Sequence, residues 1–383
     1  MRLLWNVALA AGLLACGGSA GGADAGGGDA ELPRRDLGRD LGRPEPCRVA
    51  LPVDLVFMID DSSSMEEEQA SLAANFPRLI EGLTNPPDDD GDGEPDFPPL
   101  DDLRVAVVTP NLGVGDADVI GCPRGEGDDG AFVRASRAGG SCEGVSTGDD
   151  PWLSFAAGDD PAELAADFAC LAALGTAGCG LEQPLESVLR SITTRAEPGE
   201  PNAGFLRPSS LVAFVFVTDE DDCSVTDPAF FDASDREVGE IGTRCALPEN
   251  AGRLHPITRY VDALRALGID RRGDILVAAI TGLPRELVDD PAAVDFDAVL
   301  ADERMQIEAI PNPDVTRTGD VVRPACSFGG VGSAPPARRI IELVRAFGET
   351  GDGILDSICR PDVSDAVEAI AASIGGRICD API

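Results

Sequence analysis

The sequence predicts an α/β protein: a doubly wound, mainly parallel sheet with helices on both faces and disulfide-stapled loop insertions. Three observations predict it. Four short apolar runs rich in β-formers occupy residues 53–59, 103–108, 211–217 and 275–280, the pattern of strands buried on both faces. Helical patterns at 66–83, 161–174, 185–194 and 255–267 fall between or before them, and two more at 337–347 and 362–374 close the chain. Strands alternating with helices form parallel sheets. Finally, 43% of the 383 residues are apolar, enough for a sizeable core.

The chain begins with what reads as a targeting signal. Met1-Arg2 is a short positive start, and residues 3–14 are an apolar run too short to span a bilayer. The run ends in Leu13-Leu14-Ala15-Cys16-Gly17. This resembles the lipobox of bacterial lipoproteins, which implies lipidation of Cys16 and a signal peptide over 1–15. Two or three acyl chains, at roughly 0.8 kcal/mol per buried methylene, hold a protein firmly. Gly17 rather than Asp after the cysteine implies, by the same resemblance, the outer membrane, on its periplasmic or cell-surface face. No later run of 18 apolar residues occurs, so the lipid is the expected membrane anchor. Residues 16–46 read as a flexible tether rich in Gly, Asp and Arg, with nothing to bury.

The 11 cysteines are an odd number, and lipidation of Cys16 leaves ten for an oxidising compartment. Pairing neighbours without crossing gives Cys122–Cys142, Cys170–Cys179, Cys223–Cys245 and Cys326–Cys359. That leaves Cys47–Cys379 to join the ends of a domain expected over 47–383. Three long insertions decorate it, at about 111–160, 223–250 and 281–335, each too poor in apolar residues to be a separate domain. Stapled loops on an α/β scaffold are where binding specificity resides.

The first strand, VDLVFMI, runs from Pro52 straight into Asp60-Asp61-Ser62-Ser63-Ser64. Ligands of open α/β sheets gather beyond the carboxyl ends of strands. Here Asp60, Ser62 and Ser64 form D-x-S-x-S, and the 211–217 strand ends in Thr218-Asp219. With these paired motifs the chain resembles the von Willebrand factor A family over roughly residues 50–375. The resemblance implies a metal-ion-dependent adhesion site. The two serine hydroxyls and Asp219 would face the ion, and Asp60 would act mostly through water. Oxygens at alternate positions of a strand-to-helix turn suit a hard ion such as Mg²⁺ or Mn²⁺, which also keeps some waters.

The family's metal-shell threonine has no match. Its position falls near Cys179, and a disulfide sulfur is a poor ligand for a hard cation. Glu182 is the expected substitute, with Thr176 the weaker one. The following Glu220, Asp221 and Asp222 read either as a second ion site or as solvated acids. A further acidic stretch, with Asp88, Asp90, Asp92 and Gly93 in D-x-D-x-D-G spacing and Asp96 to close the shell, reads as a calcium loop or as a polar loop.

The formal net charge of −38 argues against nucleic acid as a partner and draws in cations. Nothing points to an enzyme. The chain has one histidine, His255, and no H-E-x-x-H or G-x-S-x-G. The aspartate pair of a haloacid-dehalogenase-like phosphatase is broken at Ser62. No lysine exists to serve a phosphate loop. The expectation is an envelope lipoprotein that binds a partner protein or glycan through the ion. The alternative is a structural scaffold with a degenerate site, and a metal-dependent phosphatase is third.

Overall fold

The computed structural model describes residues 50–88, 91, 93–119, 121–122, 124–269, 275–313, 319–329 and 333–379. The residues from 46 onward form one unit. Cys16, Cys47, Asp90 and Asp92 lie outside the described residues, so the signal, the tether and the Cys47–Cys379 pairing are not described.

Six strands form one sheet: β1 (Val53–Ile59), β2 (Asp102–Val108), β3 (Leu153–Ala156), β4 (Leu211–Val217), β5 (Ile275–Thr281) and β6 (Gly353–Ser357). Their spatial order is β6-β5-β4-β1-β2-β3. Every pair is parallel except β2–β3. Among the described residues the α-helices are α1 (Glu66–Thr84), α2 (Pro161–Ala172), α3 (Pro184–Ile192), α4 (Ile257–Ile269), α5 (Phe296–Ala301), α6 (Arg338–Gly348) and α7 (Ser364–Cys379).

Alternation along β1 feeds two cores. Val53, Leu55, Phe57 and Ile59 pack with residues of α1, α2 and α7, while Val56 and Met58 pack with those of α3, α4 and α6. On the first side Phe57 meets Phe76 of α1 edge-on, with ring centroids 5.4 Å apart, and Phe168 of α2 at 4.8 Å. Both faces of the sheet are therefore covered, as the apolar runs predicted.

The polar exception in β1 is Asp54, which is fully buried. The Arg207 Nε and backbone N–H donate to its two carboxylate oxygens at 2.8 and 2.7 Å, and Ser210 Oγ donates as well. A buried carboxylate needs such company, because an unpaired charge in a core is costly.

Two disulfides differ from the nearest-neighbour pairing. The bonds are Cys122–Cys179 and Cys142–Cys170, not Cys122–Cys142 and Cys170–Cys179. The first insertion does not close on itself; it lies across α2 and the loop that follows. Gly115 and Gly125 bridge each other and fold its first part into a turn, and Val114 beside that turn packs in one cluster with Cys179 and Leu181. Ser136 Oγ donates to the Cys170 carbonyl at 2.8 Å, holding the second part near α2. The Cα separations become 4.3 and 5.2 Å, within or next to the range that a disulfide spans. Cys223–Cys245 and Cys326–Cys359 are as expected.

Among the described residues no helix is long and apolar enough to cross a membrane.

Candidate functional site

β1 has β2 on one side and β4 on the other. The chain order reverses there, so the carboxyl ends of β1 and β4 flank the switch point where α/β sheets collect ligands. The Asp60 N–H donates to the Val217 carbonyl at 3.0 Å, and the two strands leave the sheet together.

Asp60 is fully buried, and both its carboxylate oxygens are engaged. Oδ1 accepts the Ser62 N–H at 2.8 Å and Oδ2 accepts Thr218 Oγ1 at 2.6 Å. The first bond is an aspartate-capped turn, which explains why the sequence turns here. The Ser62 and Ser64 hydroxyls lie 3.1 Å apart, and Ser64 Oγ donates to Asp219 Oδ1 at 3.1 Å. Ser62 and Asp219 are buried, whereas Ser64 is exposed, so the cluster opens to solvent on that side. Gln69 of α1 ties the turn to the next loop. Its Nε2 donates to the Asp60 and Gly175 carbonyls, and its Oε1 accepts the Gly175 N–H.

The electrostatics are one-sided. Burial pushes the carboxyls of Asp60, Glu182 and Asp219 above their usual range. Charges of neighbouring carboxylates push Glu182 and Asp219 further: Asp60 and Glu220 act on both, and Asp219 also on Glu182. Burial, then Asp60 and Asp221, lift Glu220 to about 8. Glu182 is only 4% exposed, and its Oε1 has no hydrogen-bond partner. This chemistry fits a hard dication: two hydroxyls and the Asp219 carboxylate, set beside other buried carboxylates. Among the described residues no three His, Cys, Asp or Glu side chains converge closely enough to hold an ion by themselves. The converging set is instead Ser62, Ser64 and Asp219. Asp60 is oriented behind it, with its own oxygens already bonded.

Other predicted residues fall elsewhere. Cys179 is in a disulfide and Thr176 is exposed. Asp222 is buried and Asp221 half-buried, and the carboxylates of both are engaged within the fold. Asp221 accepts the Arg339 and Ile340 N–H groups at the start of α6. Asp222 accepts the Leu185 N–H at the start of α3, the Ser224 hydroxyl and the Arg339 guanidinium. Both stabilise helix N-termini, where backbone N–H groups lack partners. In the acidic 88–96 loop, Asp88 Oδ2 accepts the Gly93 N–H at 3.0 Å and the Asp96 N–H donates to the Pro87 carbonyl.

Several residues of the site carried no sequence signal. Asp61 Oδ2 accepts from Arg137, which also reaches Asp128, and Asp61 Oδ1 is buried without a partner. Burial outweighs Arg137 and raises Asp61 to about 6. The Gly178 N–H donates to the Asp61 carbonyl at 2.7 Å, and a Cβ on Gly178 would lie 2.2 Å from Asp61 Oδ1. Gly178→Ala is therefore expected to cost about 1–3 kcal/mol in urea denaturation, as overpacking does. Gly180→Ala, whose Cβ meets only Glu182 Oε1 at 3.8 Å, is expected to be near neutral. Equal effects of the two would refute the close approach.

Glu68, in the first turn of α1, is 4% exposed with Oε2 unpartnered. Burial, and then the charge of Glu67, raise it to about 7. Because the folded value exceeds the ordinary glutamate value of 4.5, its contribution to stability is full below about 4.5 and lost as pH rises through about 7. Glu68→Gln is thus expected to stabilise the protein by about 2–3 kcal/mol at pH 8 and hardly at all at pH 4. Urea midpoints at the two pH values check this, and a pH-independent effect would contradict it.

No protein-family model matches the chain, and no curated protein matches it in sequence. Among solved structures, it is similar to proximal thread matrix protein 1 from the mussel byssus, at 10% identity and a TM-score of 0.28, over 62% of this chain and 39% of that one. It is similar to the PilB minor pilin of Streptococcus sanguinis, at 10% identity and 0.33, over 89% and 66%. A third is the human COPII-coat protein Sec24c, at 12% identity and 0.27, over 63% and 27%. The chain spans less than two thirds of each of these proteins. Likenesses this distant carry no functional argument.

Proposed function

We propose that the chain is an exported, lipid-anchored envelope protein of the von Willebrand factor A type. In this reading it binds a partner protein or glycan through a divalent ion at the ends of β1 and β4. One observation carries the reading: Ser62, Ser64 and Asp219 converge at the switch point, beside the buried carboxylates of Asp60 and Glu182. Ser62, Ser64 and Asp219 would hold Mg²⁺ or Mn²⁺, with Ca²⁺ the other candidate. Such an ion supplies an electrophilic centre that an acidic group on the partner can ligate. The chain's own part is to orient the ligands. Asp60 fixes the turn through Ser62 and Thr218, and Gln69 fixes the loop that follows α2. The four disulfides among the described residues fit an oxidising, exported setting.

A structural scaffold with a degenerate site is the second reading, favoured by the disulfide at Cys179 where the family has a threonine. The test is retention of envelope proteins and glycans on the immobilised chain, in Mg²⁺ and then in EDTA. Retention that EDTA abolishes and Asp60→Ala weakens is expected. Asp60→Ala should weaken ion affinity 10–100-fold, the usual cost of losing an outer-shell partner. Retention indifferent to EDTA would favour the scaffold.

A further inference from the structure

Beside the switch point lies a cleft of about 430 Å³, a size typical of ligand pockets. Its walls come from two insertions, 223–250 and 281–335, and from the segment that follows Cys179. Leu181, Ile241, Val322 and Pro336 give it apolar sides. Glu182 and Glu220 give it an acidic end. Asp221 and Asp222 also line it, but their carboxylates are committed to helix N-termini and Arg339. Glu182 is different. Its side chain is 96% buried, lines the cleft, and has an oxygen with no partner. A buried carboxylate oxygen left unbonded costs free energy until something donates to it.

We infer that this cleft receives an arginine side chain of a partner protein, its guanidinium set between Glu182 and Glu220. The chemistry is complementary on three counts. Apolar walls suit an aliphatic stem, and acids at one end suit a charged head. A planar fork of N–H donors can serve carboxylates from two chain segments at once, which an ammonium does less well. The chain's charge of −38 steers cationic segments toward it. The assignment rests on the cleft and not on the ion, and adds a second anchor to the ligand recognised at the neighbouring site.

The experiment is fluorescence anisotropy of labelled acetyl-Gly-Arg-Gly-amide on the full chain, beside the same peptide with citrulline, the neutral isostere of arginine. Saturable arginine binding, at least tenfold tighter than citrulline binding, is expected in EDTA. Glu182→Gln should remove that preference with little change in shape. Gly242→Trp should block binding while leaving both acids intact, since a Cβ at Gly242 meets only the Asp320 carbonyl oxygen at 3.8 Å. Ser62→Ala/Ser64→Ala should retain it. Equal binding of the two peptides, or an arginine preference that survives Glu182→Gln, would overturn the assignment. Binding that EDTA abolishes would overturn it too, by locating the contact at the ion instead.

Discussion

Asp219→Asn is expected to stabilise the metal-free protein at pH 8 and to abolish its response to divalent ions. The two effects have one cause. Burial, and then the charges of Glu220 and Asp60, push the Asp219 carboxyl well above the usual range. In the absence of a cation, the folded state at pH 8 holds a charge that the unfolded state hydrates freely. Since the folded value is raised, that penalty is absent at low pH and grows as pH rises. The amide keeps the shape and can still accept from Ser64, but carries no charge. The gain should be largest at pH 8 and fade towards pH 4, the sign that a raised carboxyl requires. In saturating Mn²⁺ the order should reverse. An ion at 100 times its dissociation constant contributes about 2.7 kcal/mol to the protein that binds it, and nothing to one that does not. Melting temperatures in EDTA and in Mn²⁺ would show the crossing. A variant less stable than the parent in both would mean that Asp219 is simply a structural carboxylate. Residues that serve ligands often cost stability when the ligand is absent.

Arg207→Ala is expected to have the larger effect on stability, about 3–5 kcal/mol, because it strands a buried charge. Asp54 lies within β1 with no exposure, and Arg207 supplies both a guanidinium and a backbone donor to it. Arg207 Nη2 also donates to the Val53 carbonyl at 2.8 Å. Truncation leaves Ser210 and the Arg207 backbone N–H as the remaining donors to a carboxylate in the sheet. The urea midpoint should fall with the slope unchanged, since the surface exposed on unfolding is the same. Adding Asp54→Asn should recover a good part of the loss by removing the stranded charge. A cost below about 1 kcal/mol, or no recovery in the double variant, would show that the pair is not what holds this end of β1.

The central strands were legible because burial on both faces writes a continuous apolar run. VDLVFMI and LVAFVFV begin and end in the structure where they do in the sequence. The edge strands β3 and β6 were not. LSFA and GILDS are short, and each contains polar residues that only the register with β2 or β5 explains. Asp60, Ser62, Ser64 and Asp219 were legible as a pair of motifs at strand ends, where the topology of an α/β sheet directs attention. Glu182 could be singled out only as a substitute for a missing threonine, and its orphaned oxygen is a property of packing. The Arg137–Asp61 pair joins residues 76 positions apart through an insertion with no pattern of its own. Asp221 and Asp222 looked like solvated acids or a second ion site because nothing local shows which helix starts they will meet. The disulfide exchange has the same origin. Neighbour pairing assumes that an insertion closes on itself, whereas this one spreads over α2 and the site loop.

The most direct test of an ion site at the ends of β1 and β4 is calorimetric titration of Mg²⁺, Mn²⁺ and Ca²⁺ into the chelator-treated protein, beside Ser62→Ala/Ser64→Ala. Saturable binding of one ion per chain to the parent and none to the double variant is expected, since the two hydroxyls and Asp219 are the converging ligands. Binding of equal strength and stoichiometry in both proteins, or no binding to the parent at all, would contradict it.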